Sequence, residues 1–495
     1  MSGLEQKLWQ LIISRLDGEK LSSIQYQERA SELVRKGIGG FILFGGKRNE
    51  VKTFINKLQS VSETPLFIAS DIERGVGQQI DGATHFPCQM AVAAAINKNN
   101  SSDVEILEDV INAVSHEAID IGINMPLIPV MDVNRNPDNP IICTRAFSDN
   151  QENVSWYGKT YIKTIEDAGL ISCAKHFPGH GDTAIDSHIA LPVISKSFDE
   201  LMNTDIFPFR EAVKAGAGSI MTGHLSIPAI DELPASLSKK VITGLLRTDL
   251  GYEGLVLTDA LNMHALNEYE NVPAMCINAG GDILLHPADA DSVVEELKQA
   301  VASGKIDEGT IDTAVERILK YKSKIKNIRK SGINYQEHAG LSERISDKSV
   351  TLVKDSPGVL PIKNTQGLSL AFAADENKHD LSTLKNFISG HIRIKDSEKE
   401  SLRKTVVFAL FTSIAAWGGS SGIRDDEINI IRKLIKNSRN SIVISFGSPY
   451  VLGHFPKADL LIAAYDTSKQ AQVSVIKCLK GERNFKGSLP VKLPF

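Results

Sequence analysis

Leu170-Ile-Ser-Cys-Ala-Lys-His176 is a short run of apolar and small residues that stops abruptly at two nitrogen bases, and the same construction recurs along the first two thirds of the chain. A run of this length, without polar alternation, suits a strand of a parallel sheet covered on both faces. Its counterparts are Gly40-Phe-Ile-Leu-Phe44, Pro65-Leu-Phe-Ile-Ala69, Met125-Pro-Leu-Ile-Pro-Val-Met131, Ser219-Ile-Met221, Gly254-Leu-Val-Leu257 and Asp282-Ile-Leu-Leu285. Stretches with helical patterning separate them, at 104–120, 151–168, 199–215, 240–250 and 291–303. Seven or eight β–α units in about 320 residues predict an α/β fold of the (β/α)8 TIM-like barrel type, with a doubly wound sheet as the alternative.

The ends of these runs carry a second regularity. Asp71, Asp132, Lys175 with His176, His224 and Asp259 each stand just after a predicted strand. Any single strand has to end in something polar. Five at corresponding positions point instead to the C-terminal face of a barrel, where an active site is built.

Residues 309–328 read as an amphipathic helix closing a first domain at 1–330. A polar linker is expected over 331–346. A smaller α/β sandwich domain is expected over 347–495, with strands at 368–373, 405–411, 441–446 and 459–464.

Apolar residues make up 42% of the 495, enough for a large core without disulfide or metal staples. The net charge is -5 and the cations are scattered, which argues against a nucleic-acid surface. A neutral small-molecule or carbohydrate substrate fits such a chain better. Cys88, Cys143, Cys173, Cys276 and Cys478 are odd in number and far apart, with no CxxC pair, so a reducing compartment is expected. The start of the sequence has no basic-then-apolar leader, and no apolar run approaches the roughly 20 residues of a membrane span. The expectation is a cytoplasmic monomer or dimer with no cofactor, no nucleic-acid partner and no membrane partner.

The segment Lys175-His-Phe-Pro-Gly-His-Gly-Asp-Thr-Ala-Ile-Asp-Ser-His188 concentrates three histidines and two aspartates in a glycine- and proline-rich loop. These residue types can ligate a divalent ion, but the spacings give no helical ligand pair. They also suit acid–base work: Asp186 can accept a hydrogen bond from one ring nitrogen of His188 and leave the other for proton transfer. The plainest reading of Asp186-Ser-His188 is a polar turn. Asp259 closes a buried strand, where it serves either as a nucleophile or as a helix N-cap. Asp71, Arg145, Lys175 and His176 can hold sugar hydroxyls or belong to a surface ion-pair network. The loop Ala416-Trp-Gly-Gly-Ser-Ser-Gly422 is a further candidate to approach the barrel mouth or to be a plain surface loop.

Taken together these residues resemble glycoside hydrolase family 3, most closely its β-N-acetylglucosaminidase branch. The Lys175–Thr183 string with Asp186-Ser-His188 and Leu191-Pro192 is similar to that branch's signature loop. Similar segments follow in family order at Asn124–Val133, Thr144-Arg-Ala-Phe147, Gly251–Asp259 and Ala279–Leu285, and Val350–Ile362 extends the likeness into the second domain. The resemblance implies a retaining mechanism in which Asp259 is the nucleophile and His188, oriented by Asp186, the acid/base. It also implies that Asp71, Arg145, Lys175 and His176 bind the non-reducing sugar. One segment departs from the pattern. Asp71-Ile-Glu-Arg-Gly-Val-Gly-Gln-Gln79 has Arg74 where the branch has glycine and Gln79 where it has a sugar-contacting arginine. β-Glucosidase activity stands as an alternative on that ground, phosphorolysis as another because a neutral histidine base would not repel phosphate as a carboxylate would, and non-catalytic sugar binding on the same fold as a third.

Overall fold

The computed structural model describes residues 3–187, 189–325, 332–397, 405–414 and 421–493. The chain parts into two compact units. The first comprises Met1–Phe86, Glu108–Val133 and Gln151–Ala339, the second Pro87–Leu107, Asn134–Asn150 and Gly340–Phe495.

In the first unit the strands are β1 (Ile12–Asp17), β2 (Gly40–Phe44), β3 (Phe67–Ser70), β4 (Met125–Pro126), β5 (Cys173–Phe177), β6 (Ser219–Thr222), β7 (Leu255–Thr258) and β8 (Leu284–Leu285). They form two parallel sheets, β4-β3-β2-β1-β8 and β5-β6-β7. Parallel bridges Val130↔Lys175 and Leu257↔Ile283 join the two sheets. Each strand thus lies beside the next in sequence, and β8 lies beside β1. β2, β3 and β5 to β7 are almost wholly buried, as their unbroken apolar and small side chains require.

The sequence signal missed β1, because Ser14 and Arg15 interrupt its apolar run. It overextended β4, because Pro126 and Pro129 have no N–H to give a ladder.

The helices are set by local chemistry. Helix 24–36 starts where the Ser23 side chain accepts from the Tyr26 N–H and ends at Gly37, whose φ of 90° closes the last turn. The helical stretch expected over 199–215 divides into Phe198–Asn203 and Phe207–Lys214, the second with Pro208 in its first turn. The stretch over 240–250 is a π-helix at Lys240–Asp249, with Leu250 N–H donating back to the Leu245 carbonyl at 2.9 Å.

The second unit carries β9 (Thr351–Lys354), β10 (Leu368–Ala373), β11 (His391–Arg393), β12 (Thr405–Phe411), β13 (Asn440–Phe446) and β14 (Leu460–Ala463). Their order is β11-β10-β12-β13-β14-β9, parallel except for β9 against β14. Successive residues alternate between two buried clusters: Ala371, Val406, Phe408 and Val443 lie in one, Leu370, Val407, Ile442 and Ile444 in the other. Both faces are therefore covered, each buried Leu or Ile contributing about 1.5–3 kcal/mol.

The first of these clusters also takes in Cys88, Met90, Ala91, Ala94 and Cys143. This packing is why two segments from the first third of the chain belong to the second unit, where the sequence suggested contiguous domains. Residues 335–349, inside and just beyond the expected linker, form a helix.

Candidate active site

Lys175 lies within β5 and is 1% exposed. A buried ammonium needs partners, and among those of Lys175 are Asp71 Oδ1 at 2.6 Å and Glu73 Oε1 at 2.8 Å. Asp71 follows β3 and is partly open to solvent, whereas Glu73 is buried. One carboxylate thus neutralises the lysine in the interior while the other presents both it and itself outward.

His176 is the next residue. Its Nδ1 sits 2.7 Å from Asp132 Oδ2, and its backbone N–H donates to Asp132 Oδ1 at 3.2 Å. The carboxylate partner assigns the proton to Nδ1 and leaves Nε2 as an acceptor. Asp132, following β4, is fully buried and also accepts the His180 N–H at 2.7 Å. One carboxylate therefore fixes both the ring of His176 and the start of the glycine-rich loop.

That loop is tied by its own side chains. His180 Nδ1 is 2.8 Å from Thr183 Oγ1, and Nε2 is 3.1 Å from Ser187 Oγ. Burial pushes the imidazole down to about 4, so it is neutral near pH 7. Gly179 has φ 133° and passes so close to Asp205 that a Cβ would come within 2.8 Å of its side chain. Asp182 pairs outward with Lys196 at 2.8 Å. Asp186 is buried, and its carbonyl accepts from the Ile189 and Ala190 N–H groups in a turn. His188, the expected acid/base, lies outside the described residues, as do residues 415–420 of the second-unit loop.

Asp259 follows β7. Its N–H donates to the Thr222 carbonyl at 2.9 Å, and its Oδ1 accepts from the Ala260 N–H at 2.7 Å. His224, after β6, braces the same turn. Its Nε2 lies 3.2 Å from the Ala260 carbonyl, which can only accept, so the proton is on Nε2 and Nδ1 accepts from Ser236 Oγ at 2.8 Å. No helix begins at Asp259, so the N-cap reading of this carboxylate has no helix to serve.

Asp71, Asp132, Lys175, His176, Asp186 and Asp259 all belong to the first unit; Asp71, Lys175, His176 and Asp259 stand at or just beyond the carboxyl ends of parallel strands, and Asp132 and Asp186 lie further along the segments that follow β4 and β5. Arg145 belongs to the second unit, on the short helix Cys143–Arg145, where its guanidinium donates to the Ile141 carbonyl at 2.9 Å. Glu73 had no assigned role in the sequence reading. Its signal was the i, i+2 spacing from Asp71, which puts two carboxylates on one side of an extended chain. Gln79 does not reach away from the chain: its Nε2 donates to the Asp71 carbonyl at 3.1 Å.

These features define a class: a parallel α/β protein whose strand ends gather carboxylates, a buried lysine and oriented imidazoles, chemistry suited to binding a polyol and moving protons. Residues 3–321 match the Glycosyl hydrolase family 3 N terminal domain, and the chain belongs to that family. It is 35% identical over 390 residues to β-hexosaminidase A of Pseudoalteromonas piscicida, an alignment covering 70% of this chain and 64% of that protein. It is 27% identical over 516 residues to the β-N-acetylglucosaminidase/β-glucosidase of Cellulomonas fimi, covering 92% and 88%. Among solved structures, a family 3 β-N-acetylglucosaminidase from Paenibacillus sp. FPU-7 superimposes with a TM-score of 0.84 at 28% identity, over 100% of this chain and 99% of that one. A β-glucoside phosphorylase bound to 2FGlc shares the fold, with a TM-score of 0.87 at 23% identity over 99% of this chain and 94% of that one. The expectation of family 3 membership, drawn from the 175–192 loop and the segments in family order, is thereby met.

Proposed function

We propose that this chain is an exo-acting, retaining β-N-acetylglucosaminidase, working at the mouth of a (β/α)8 barrel that is followed by an α/β sandwich. The observation that carries the reading is the convergence of Asp71, Lys175 and His176 with Asp259 on the carboxyl ends of the parallel strands. In this reading Asp71, Lys175, His176 and Arg145 hold the non-reducing sugar. An Asp259 oxygen attacks the anomeric carbon while His188, oriented by Asp186, protonates the departing glycosidic oxygen. Neutral His188 then takes a proton from water as that water's oxygen displaces Asp259, and configuration is retained.

The substrates proposed are terminal GlcNAc residues of muropeptides or chitooligosaccharides. The same proposal places the protein in the cytoplasm, in keeping with five buried cysteines that form no disulfide. Among the described residues no helix is long and apolar enough to cross a membrane.

The deciding experiment compares nitrophenyl β-GlcNAc with nitrophenyl β-glucoside. Faster GlcNAc release, abolished by Asp259→Ala, is expected. β-Glucosidase activity is the second reading, favoured by Gln79, whose amide is turned onto the Asp71 carbonyl; faster glucoside turnover would establish it. The same assay in phosphate buffer reads sugar 1-phosphate, the mark of phosphorolysis.

A further inference from the structure

The residues discussed so far follow β3 to β7. The three remaining strands of the first unit, β8, β1 and β2, lie side by side between Asp259 and Asp71 in the strand order. They bring together three residues that the roles above do not use. His286 follows β8, Arg15 lies in the second half of β1, and Phe44 ends β2. The Arg15 guanidinium stands 4.7 Å over the Phe44 ring, and the Phe44 and His286 rings are 5.6 Å apart.

His286 is the unusual member. It is nine-tenths buried, yet neither ring nitrogen has a hydrogen-bond partner among the described residues. Its ring nitrogens are not sealed inside the protein, so they stay open to a ligand that approaches from the strand ends. Its backbone has φ 49°, a left-handed conformation that costs a non-glycine residue on the order of 1 kcal/mol and is held by the His286 N–H donating to the Ile13 carbonyl at 2.7 Å. Burial first, then the neighbouring Arg15 charge, push the ring down to about 4, with Asp71 opposing them in part. The ring is therefore neutral and offers one donor and one acceptor nitrogen. Arg15 has one weak partner, Asp17 Oδ2 at 3.5 Å, and its half-exposed fork keeps donors for a ligand.

A ligand that suits this set has a group that both donates and accepts, next to an aliphatic carbon for the Phe44 ring. A primary alcohol does both at one atom. An acetamide does so only through two separate atoms, its N–H and its carbonyl oxygen. We propose that His286, Arg15 and Phe44 form a subsite that holds the C6 hydroxymethyl group of the non-reducing sugar. The inference rests on the glycosidase reading. It assigns the C5–C6 edge of the pyranose to the β8-β1-β2 side, and leaves the other edge to the side carrying His176 and His224.

The test is a cycle between enzyme and substrate. Nitrophenyl β-GlcNAc and its 6-deoxy analogue are assayed with wild type, His286→Ala and Arg15→Met. Wild type is expected to lose about tenfold to a hundredfold in kcat/KM on loss of O6. His286→Ala is expected to lose a similar factor on the parent substrate and to show no further loss on the 6-deoxy one. Arg15→Met is expected to behave likewise with a smaller factor, and its solvent-facing side chain makes it the variant least able to disturb folding. Losses that multiply, or a wild type indifferent to O6, overturn the proposal. So does a His286→Ala loss that disappears when the acetamide rather than O6 is removed. Failure of the underlying reading looks different, as wild type turning over neither GlcNAc glycoside; the cycle is then run on β-glucoside and its 6-deoxy form.

Discussion

Asp132→Asn separates what a buried carboxylate does for the site from what it does for the fold. Asp132 accepts three hydrogen bonds: from the His176 N–H at 3.2 Å, the His180 N–H at 2.7 Å and the His176 ring at 2.7 Å. An asparagine with its oxygen in the place of Oδ1 keeps both backbone bonds, so the loop start stays anchored. Its amide then faces His176 Nδ1 as a donor. The imidazole must answer by accepting at Nδ1 and carrying its proton on Nε2. The nitrogen facing outward changes from acceptor to donor, and a sugar hydroxyl that donated to it meets another donor. A hydrogen bond involving a charged partner is worth about 1.5–3 kcal/mol. The expected loss in kcat/KM is therefore about 10-fold to 150-fold. The midpoint of thermal unfolding should move by less than about 5 °C, because both backbone bonds survive. Steady-state kinetics on nitrophenyl β-GlcNAc beside a melting curve measure both. A variant that keeps kcat/KM within about twofold of wild type while melting normally refutes the role given to the Asp132–His176 pair.

Three further expectations follow from other buried charges. Glu73→Gln removes one of the carboxylates paired with Lys175 and weakens the neutralisation of its buried ammonium; KM should rise more than kcat falls, with about 1–3 kcal/mol lost from stability in denaturant titration. Asp282→Ala strips the fully buried partner of Arg247 at 2.7 Å and Arg317 at 3.0 Å, together with the acceptor of the Val256 N–H; a cost of about 3–5 kcal/mol should appear in unfolding, with the chemistry of the folded enzyme unchanged. Lys322 is buried over the Phe67 ring, donates to Gln10 Oε1 at 2.7 Å, and is pushed by burial from 10.5 down to about 7. Between those values the unfolded chain holds the extra proton, so stability rises with pH at about 1.4 kcal/mol per pH unit until the unfolded lysine titrates, and it is flat below pH 7. Lys322→Met should remove that slope between pH 7 and 9.5, and a variant whose pH profile runs parallel to wild type would show that Lys322 stays charged in the fold.

The parts of the fold that were legible in the sequence were those with one-dimensional signals. Runs such as Leu255-Val-Leu-Thr258 are buried on both faces and read as strands without knowledge of their neighbours. β1 was hidden because Arg15 serves the strand-end surface rather than the core, and so breaks the apolar pattern. The transfer of 87–107 and 134–150 to the second unit had no local signature. Met90 and Ala91 are as apolar as any core residues, and only three-dimensional packing selects which core they join. At the site, Asp71 was legible from its place after a strand, and Lys175 and His176 from the polar end they give to an apolar run, which in the structure lies within β5. Glu73 and His286 were passed over: one had only its i, i+2 spacing from Asp71 to mark it, and the other is a lone histidine whose ring nitrogens have no hydrogen-bond partner among the described residues.

Sugar selectivity is where these two kinds of information meet. The segment after β3 departs from the family pattern, and its geometry explains how. Gln79 closes onto the Asp71 carbonyl, the Arg74 N–H donates to Gln78 Oε1 at 2.8 Å, and the Phe86 N–H donates to the Arg74 carbonyl at 2.7 Å. Thr84 is clamped through its N–H and hydroxyl to the buried Glu117 at 2.8 and 2.5 Å. A loop tied to itself this way spends its polar groups on its own backbone, so the side chain at 79 cannot also reach a hydroxyl without giving up a bond. With no cation at position 79, in the segment that follows β3, the sugar's outer edge can be held from another strand instead. Arg15, two strands away in the sheet and stacked beside Phe44, is the cation in position to do so. Restoring arginine at 79 in an Arg15→Met background tests that exchange. Recovery of kcat/KM on the GlcNAc glycoside would mean that the two positions serve one hydroxyl, whereas no recovery would mean that the self-tied loop holds residue 79 away from the sugar.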